Sequence, residues 1–499
     1  MANRASEGAR GFARIPGILA LACTAIAFAA QAAAMGYEDA RHLLNRVGFG
    51  ATDAEITANA TLSRAQAVER ILAQTRPEAS VAAPAFVNDA FLPYYKLRGL
   101  DDLQRKAMQQ RNIEQGLELR EWWLREILLT PSPLTEKMTI FWHNHFATSQ
   151  QKVRSAKLVY SQNVLLRRHA LGNFGVLLHA VSRDPAMLVY LDNANSRRQS
   201  PNENFAREVM ELFTLGEGNY CENDVKEAAR SFTGWSIDRD TGQFVNRWLW
   251  HDAGAKTLFG QAGRFDGDQV LDILLSRRET AQFITRKLWR EFVSPVPDET
   301  QVNRLAAVFR DAHYEIKPLL RALLMSDAFW AQENRGSLIK SPVELIAGSL
   351  RTLEIHPLNL RPAVAASALL GQNLMSPPNV KGWPGGEAWI NSSTLLGRKQ
   401  FLEHLLRGTD AMAGPAMMAA PDDMKNEAGG TPESRFRRMM ERGLQAYSFD
   451  WERWSRTLGR DSRIESLMLA TSAVNPVPAN AEGVEFVRYL VSDPTYQLK

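Results

Sequence analysis

Apolar residues recur along most of this chain at the three- and four-residue spacing of a helix face. Between Leu134 and Ala147 they fall at Leu134, Met138, Phe141 and Trp142, with His145 continuing the same face. Similar faces run through Arg120 to Leu129, Val164 to Val181, Asn204 to Leu215, Val270 to Leu275, Ala281 to Phe292, Leu305 to Phe309 and Leu319 to Met325. Start signals agree: Ser200-Pro201-Asn202-Glu203 and Ser341-Pro342-Val343-Glu344 each offer a capping hydroxyl, a Pro at the first helical position and a Glu that closes a capping box. A third start is read at Asn223-Asp224-Val225-Lys226-Glu227. Period-two runs are few, the best being Gln243 to Trp250, where Phe244, Trp248 and Trp250 mark one face of a short hairpin. The pattern predicts a mainly α protein: a large multi-helix globular domain with a short β-hairpin and long loops.

Two further patterns set the organisation. Leu323 to Trp330 is echoed by Tyr489 to Tyr496, which suggests two helices that stop and dock an aromatic in the same way; the echo is too short to imply a solenoid. Residues 408–431, rich in Ala, Met, Gly, Pro and Asp, read as a linker or exposed loop between a main domain at 35–407 and a helical appendage at 432–499 that Trp451 and Trp454 can dock. At the other end, Arg4, Arg10 and Arg14 precede the apolar run Ile15 to Ala34, which closes on small residues. This is the form of a cleavable export signal over residues 1–34, implying a periplasmic or extracellular protein with no transmembrane segment after cleavage. Ala20-Leu21-Ala22-Cys23 is a poor copy of a lipoprotein box, because apolar residues continue past Cys23.

Composition narrows the function classes. With 45% hydrophobic and 23% charged residues over 499 positions, the chain sits at the globular average. Removing residues 1–34 takes away three Arg and one Glu, so the formal charge falls from +4 to +2, too little and too dispersed for a nucleic-acid partner. The same cleavage leaves Cys221 as the only thiol, so no intramolecular disulfide forms. The chain has no Gly-x-Ser-x-Gly elbow, phosphate loop, dinucleotide fingerprint, haem-attachment motif or His-Glu-x-x-His.

The densest polar cluster lies between Tyr190 and Trp235. On a helix from Pro201, Phe205, Val209, Leu212 and Phe213 form the buried stripe, with Asn204, Glu208 and Glu211 beside it. A second helix carries Asp224, Glu227 and Arg230, and a short connection favours antiparallel packing that turns Asn204, Glu208 and Arg230 inward. Two accounts stand. In the structural one these are caps and ion-pair ladders; in the other, Glu208, Glu211 and His143 collect a divalent metal ion, while Glu208, Glu211, Asp224, Glu227, Arg230 and His251 supply catalytic groups. His143-Asn144-His145 adds two imidazoles, but on a helix they diverge by roughly 200°. His145 then belongs to the apolar face, and His143 is free to join a site built by other helices. His251-Asp252 and Lys256-Thr257 read as a loop ending at Phe259-Gly260. The tryptophans at 235, 248, 250, 383 and 389 stand near Gly-rich turns, suited to lining a groove or plugging a corner.

Taken in order, the motifs resemble a known family. His42-Leu43-Leu44-Asn45-Arg46-Val47-Gly48-Phe49-Gly50, Phe141-Trp142-His143-Asn144-His145-Phe146, Pro201-Asn202-Glu203-Asn204-Phe205-Ala206-Arg207-Glu208 and Glu211-Leu212-Phe213-Thr214-Leu215-Gly216 look like the bacterial domain-of-unknown-function 1800 family. Asp224-Val225 through Thr233-Gly234-Trp235, Ile339-Lys340-Ser341-Pro342-Val343-Glu344 and Ser376 to Gly385 continue the likeness. The resemblance implies an exported protein, often encoded beside a second exported family, domain-of-unknown-function 1501, which resembles alkaline phosphatases and sulfatases. Such a phosphatase-like protein is the implied partner. The resemblance assigns no reaction, so an exported cation-dependent enzyme or maturation factor and a non-catalytic envelope scaffold both remain open.

Overall fold

A computed structural model describes residues 33–91, 96, 98–407, 443–444, 446–458 and 461–499. The expected linker at 408–431 and all but the last two residues of the expected leader lie outside them. Ala34–Lys499 form one compact unit, and it is mainly α, as the apolar periodicity predicts. Its principal elements are α1 (Gly36–Val47), α2 (Asp102–Leu129), α3 (Pro133–His145), α4 (Ala156–His169), α5 (Glu203–Glu208), α6 (Glu222–Ser231), β1 (Trp235–Ile237), β2 (Phe244–Asn246), β3 (Lys256–Leu258), β4 (Gln261–Gly263), α7 (Arg278–Phe292), α8 (Pro342–Thr352), α9 (Ser392–Arg407) and α10 (Gly483–Ser492).

The centre is α3, which packs on α4, α2 and α1. It is buried nearly all round, so polar side chains on its inner faces need partners. Glu136 meets Arg167 of α4, with Nε and a terminal nitrogen at 2.5 and 2.9 Å, and also accepts Trp123 Nε1 from α2 at 2.9 Å. One turn-step away, the Lys137 ammonium lies between Glu291 of α7 at 2.6 Å and Glu344 of α8, and the Lys499 ammonium reaches the same Glu344. Two buried ion clusters thus tie four helices to one.

The first family-like motif works in the same way. Arg46 donates to the carbonyls of Phe292 at 3.0 Å and Val293 at 2.8 Å, closing the C-terminal end of α7 whose last carbonyls lack helical partners. His42 Nε2 donates to the Phe329 carbonyl at 2.8 Å. Gly50, at φ +77°, lies so close to α8 that a Cβ there would stand 2.7 Å from Gly348 Cα.

Ser341 caps α8 with the full capping box, as its sequence predicts. Ser200 does not cap its helix. Asn202 does, accepting from the amides of Asn204 and Phe205, because Ser200 is held in a turn with Arg197. After α5 the chain widens into a π-helix at Val209–Thr214, where Thr214 Oγ1 donates to the Val209 carbonyl at 2.7 Å. This change of period turns Met210 and Thr214 inward and leaves Leu212 half-buried, displacing the stripe read on a uniform helix. The hairpin expected at Gln243 to Trp250 is shifted: β2 pairs with β1 ahead of it, and Trp248–Trp250 form a 3-10 turn. A second hairpin, β3–β4, turns at Phe259-Gly260, both at positive φ, where the sequence reads as loop.

The echoed segments do stop alike. Ser326 caps the turn that buries Trp330, and Asp493 caps the turn that buries Tyr496. Tyr496 Oη lies 2.9 Å from Ser349 Oγ of α8, Trp454 Nε1 donates to the Thr352 carbonyl at 2.8 Å, and α10 packs on α9.

Candidate functional site

The residues of the polar cluster separate into two groups. Asp224 closes the capping box three residues after the N-cap Cys221, accepting the Cys221 amide at 3.0 Å and the Phe259 amide at 2.7 Å. Glu227 accepts the Thr257 amide at 2.9 Å and pairs with Arg230 at 3.0 Å, and Arg230 pairs in turn with Asp252 at 2.7 Å. These contacts fasten the β3–β4 hairpin to α6. His251 Nδ1 donates to the Thr233 carbonyl at 3.0 Å. Every one of these groups is engaged in holding backbone.

Glu208 and Glu211 stand apart from that network. α5 and α6 do pack together, but Asn204 is exposed and Arg230 turns to Asp252 rather than to Glu208. The inward-facing polar trio expected from the sequence is therefore not formed: Arg230 is held by Glu227, Asp252 and the Ala255 carbonyl. Glu211 accepts the Tyr220 hydroxyl. Glu208 is half-buried without a hydrogen-bond partner among the described residues; burial raises its pKa, the Glu211 charge adds to this, and Lys381 and Arg207 oppose it. His143 is buried between Trp123 and Trp383, ring centroids 5.4 and 5.6 Å away, and neither ring nitrogen has a hydrogen-bond partner among the described residues. Among the described residues no three His, Cys, Asp or Glu side chains are grouped as ion ligands would be, so Glu208, Glu211 and His143 do not form one donor set.

A different place has the shape of a site. A cleft of about 600 Å³ opens between α3, α7, the segment leading into α8 and the loop Lys381 to Trp389, a size suited to a small ligand. Its aromatic wall comes from Phe141, Trp383 and Trp389, and its charged wall from Lys287, Arg290, Lys381 and the Lys137–Glu344–Lys499 cluster. The loop is set by Asn144, whose Oδ1 accepts the Trp383 amide at 2.6 Å. Gly382, at φ +84°, allows that approach, since a Cβ would sit 2.2 Å from the same oxygen. The middle residue of His143-Asn144-His145 thus acts as an anchor between two motifs.

His145 faces Lys287 of α7. Its Nε2 lies 3.1 Å from the Phe213 carbonyl, which only accepts, so this nitrogen carries the proton and Nδ1 is bare. The Lys287 ammonium donates to that Nδ1 at 3.0 Å. Burial holds the imidazole pKa well below its ordinary value, Lys287 adding to the effect, so the ring is neutral. Burial likewise brings Lys287 down to about 8, with Arg290 acting in the same direction. Neither Lys287 nor Arg290 has an ion-pair partner among the described residues, whereas Lys137 and Lys499 are neutralised by Glu344 and Glu291. Lys381 reaches Glu217 at 3.4 Å on the exposed rim, where Glu387 also lies.

Sequence reasoning passed over Lys287 and Arg290 because, within Ala281 to Phe292, they read as the solvated side of an amphipathic helix. The tryptophans divide: Trp235, Trp383 and Trp389 are buried, Trp250 is half-buried between Arg197 and Arg247, and only Trp248 projects, at 76% exposure. They do not form one aromatic groove.

No curated protein and no solved structure matches the chain. The family-like motifs supply Glu344 of the second ion cluster, the Arg46 helix closure and the Asn144–Trp383 anchor. The model of the family described as Protein of unknown function (DUF1800) matches residues 42–498, and the chain belongs to that family.

Proposed function

We propose that the protein binds a small anionic molecule in the cleft, between the aromatic wall and the Lys287–Arg290 pair. The observation that carries this reading is Lys287, a cation at the cleft wall whose one hydrogen-bond acceptor among the described residues is a neutral imidazole. A desolvated cation without a carboxylate is costly, and an incoming anion removes that cost. Calorimetric titration with inorganic phosphate and with sulfate at pH 7 tests it. Saturable binding that Lys287→Met abolishes and Lys287→Arg retains is the expected result; no binding by the unmutated protein overturns it.

Export through the leader, a periplasmic or extracellular location and joint action with a phosphatase- or sulfatase-like exported partner belong to the same proposal. They are supported by the basic and then apolar start of the chain and by the family resemblance. A partner of that kind releases anions of the class the cleft is charged to hold. A divalent-cation enzyme or maturation factor centred on Glu208 and Glu211 is a second reading, favoured by one observation, the half-buried and unpartnered Glu208. Elemental analysis of the purified protein decides it, with sub-stoichiometric metal the result against. A scaffold reading draws on the exposed Trp248 and Leu249 and is checked by whether Trp248→Ser reduces pull-down of the co-encoded protein.

A further inference from the structure

We propose that Lys287 is a nucleophilic amine that captures a carbonyl-bearing anion as a Schiff base, with His145 as the residue that positions it. The inference deepens the anion-binding reading and rests on it for the charge of the ligand, but not for the chemistry of the amine.

Four observations converge on Lys287. It lines a cleft large enough for a small molecule. Its nitrogen lies 4.7 Å from the centre of the Phe283 ring, so its surroundings are apolar on one side. Among the described residues no carboxylate pairs with it, and Arg290 disfavours its charge. Its one hydrogen bond among the described residues is to the bare Nδ1 of His145, whose orientation is set on the far side of the ring by the Phe213 carbonyl. Desolvation and a neighbouring cation are the two means by which a lysine becomes a nucleophile near neutral pH. At pH 7 an amine with pKa about 8 has a neutral fraction roughly two-hundred-fold above that of an ordinary lysine at ~10.4. With one N–H held by His145, the lone pair of the neutral amine is left for the cleft.

The step balances without an oxidant or reductant. The amine nitrogen forms a bond to the carbonyl carbon, and the π pair moves to oxygen. The proton leaving nitrogen passes to that oxygen, giving a carbinolamine. With one proton taken from solvent the hydroxyl departs as water, leaving a protonated imine on Lys287. Arg290 and Lys381, at the same cleft, are placed to hold the anionic group of the captured molecule. Lys137 is unsuited to this role, because the Glu291 and Glu344 carboxylates hold it in the ammonium form; Lys499, which burial also brings down to about 8, keeps Glu344 as a direct counterion.

The test uses two aldehydes on the full chain, neutral acetaldehyde and anionic pyridoxal 5′-phosphate, each trapped by sodium cyanoborohydride and mapped by peptide mass spectrometry. Lys287 is expected to be alkylated at pH 7 at least about ten-fold faster than exposed lysines such as Lys399, a margin below its advantage in neutral fraction. Its rate should rise with pH to a midpoint near 8. Lys287→Arg removes the primary amine while keeping a cation, so that labelled peptide should disappear. His145→Leu removes the acceptor that favours the ammonium, so the labelling midpoint should move below that of the unmutated protein; a residue with only a packing role would leave it in place. If acetaldehyde modifies Lys287 no faster than Lys399, the amine proposal is overturned even where phosphate binds. If acetaldehyde labels Lys287 selectively but phosphate neither binds nor slows pyridoxal 5′-phosphate, the amine proposal stands and the anion reading falls.

Discussion

Asn144 Oδ1 accepts the backbone N–H of Trp383 at 2.6 Å, joining the end of α3 to a loop 239 residues further along the chain. Through this bond the cleft's aromatic wall is fixed to the helix that carries His145. Asn144→Ala should cost about 1 to 3 kcal/mol, the usual price of stranding a buried donor, and should weaken phosphate binding along with it. Asn144→Asp keeps an acceptor oxygen and should lose less. Urea unfolding of the three proteins provides the comparison, and equal losses in both variants would show that the bond does not hold the loop.

Two glycines at positive φ should respond differently to alanine. At Gly50 a Cβ would meet the Gly348 backbone at 2.7 Å, and neither chain can swing aside. At Gly385, with φ +72°, a Cβ would meet no other described residue within 4 Å beyond its chain neighbours. Gly385→Ala should therefore cost only the left-handed backbone preference, about 1 to 2 kcal/mol, whereas Gly50→Ala adds an overpacking cost of about 1 to 3 kcal/mol. Thermal melts of both variants check the order.

Glu136 and Arg167 are each about 1% exposed and bind one another with two hydrogen bonds. Glu136→Gln leaves a buried guanidinium uncompensated and should destabilise the protein by about 3 to 5 kcal/mol. The double variant Glu136→Gln with Arg167→Met should recover a large part of that loss, because no charge is then left unpaired. A double-mutant cycle in guanidinium chloride measures the recovery.

Burial brings His143 down to about 4, while the unfolded chain returns it to the ordinary histidine value. The unfolded state then takes up a proton that the folded state refuses. This contribution to stability is complete above about pH 6.5 and is lost as pH falls toward 4. His143→Leu removes two unpartnered ring nitrogens at similar volume, so it should cost less than about 1.5 kcal/mol at pH 7. It should also flatten the acid limb of the stability curve between pH 6.5 and pH 4. Urea midpoints at several pH values would show it, and an unchanged slope would mean that His143 is not held neutral.

Glu208 has no partner to strand among the described residues, and its carboxyl pKa is already raised by burial and by Glu211. Glu208→Gln should leave stability within about 0.5 kcal/mol of the unmutated protein, as for a surface position. A large loss in the melting temperature would reveal an ion pair that the geometry does not contain.

The helical class, the capped start of α8 at Ser341, the paired helix stops at Ser326 and Asp493 and the family itself were legible in the sequence. Each depends on residues within a few positions of one another, where periodicity and capping chemistry act. The π-widening at Val209–Thr214 was not legible, because one extra residue in a turn changes which side chains face inward without changing the composition. Nor was the second hairpin, since a turn at Phe259-Gly260 puts a bulky residue at positive φ, held by the Asp224 carboxylate on its amide and Arg277 over its ring. The polar cluster at 201–234 looked like a site because its charges are dense in sequence, yet in space Asp224, Glu227 and Arg230 are spent on backbone amides and on Asp252. In the sequence Glu344 reads as the closing residue of a capping box, and nothing links it to Lys137, Lys287 or Lys499. Tertiary structure alone decided that two of them neutralise around Glu344 while Lys287 faces the cleft without a counterion, because burial and pairing are properties of segments brought together from hundreds of residues apart.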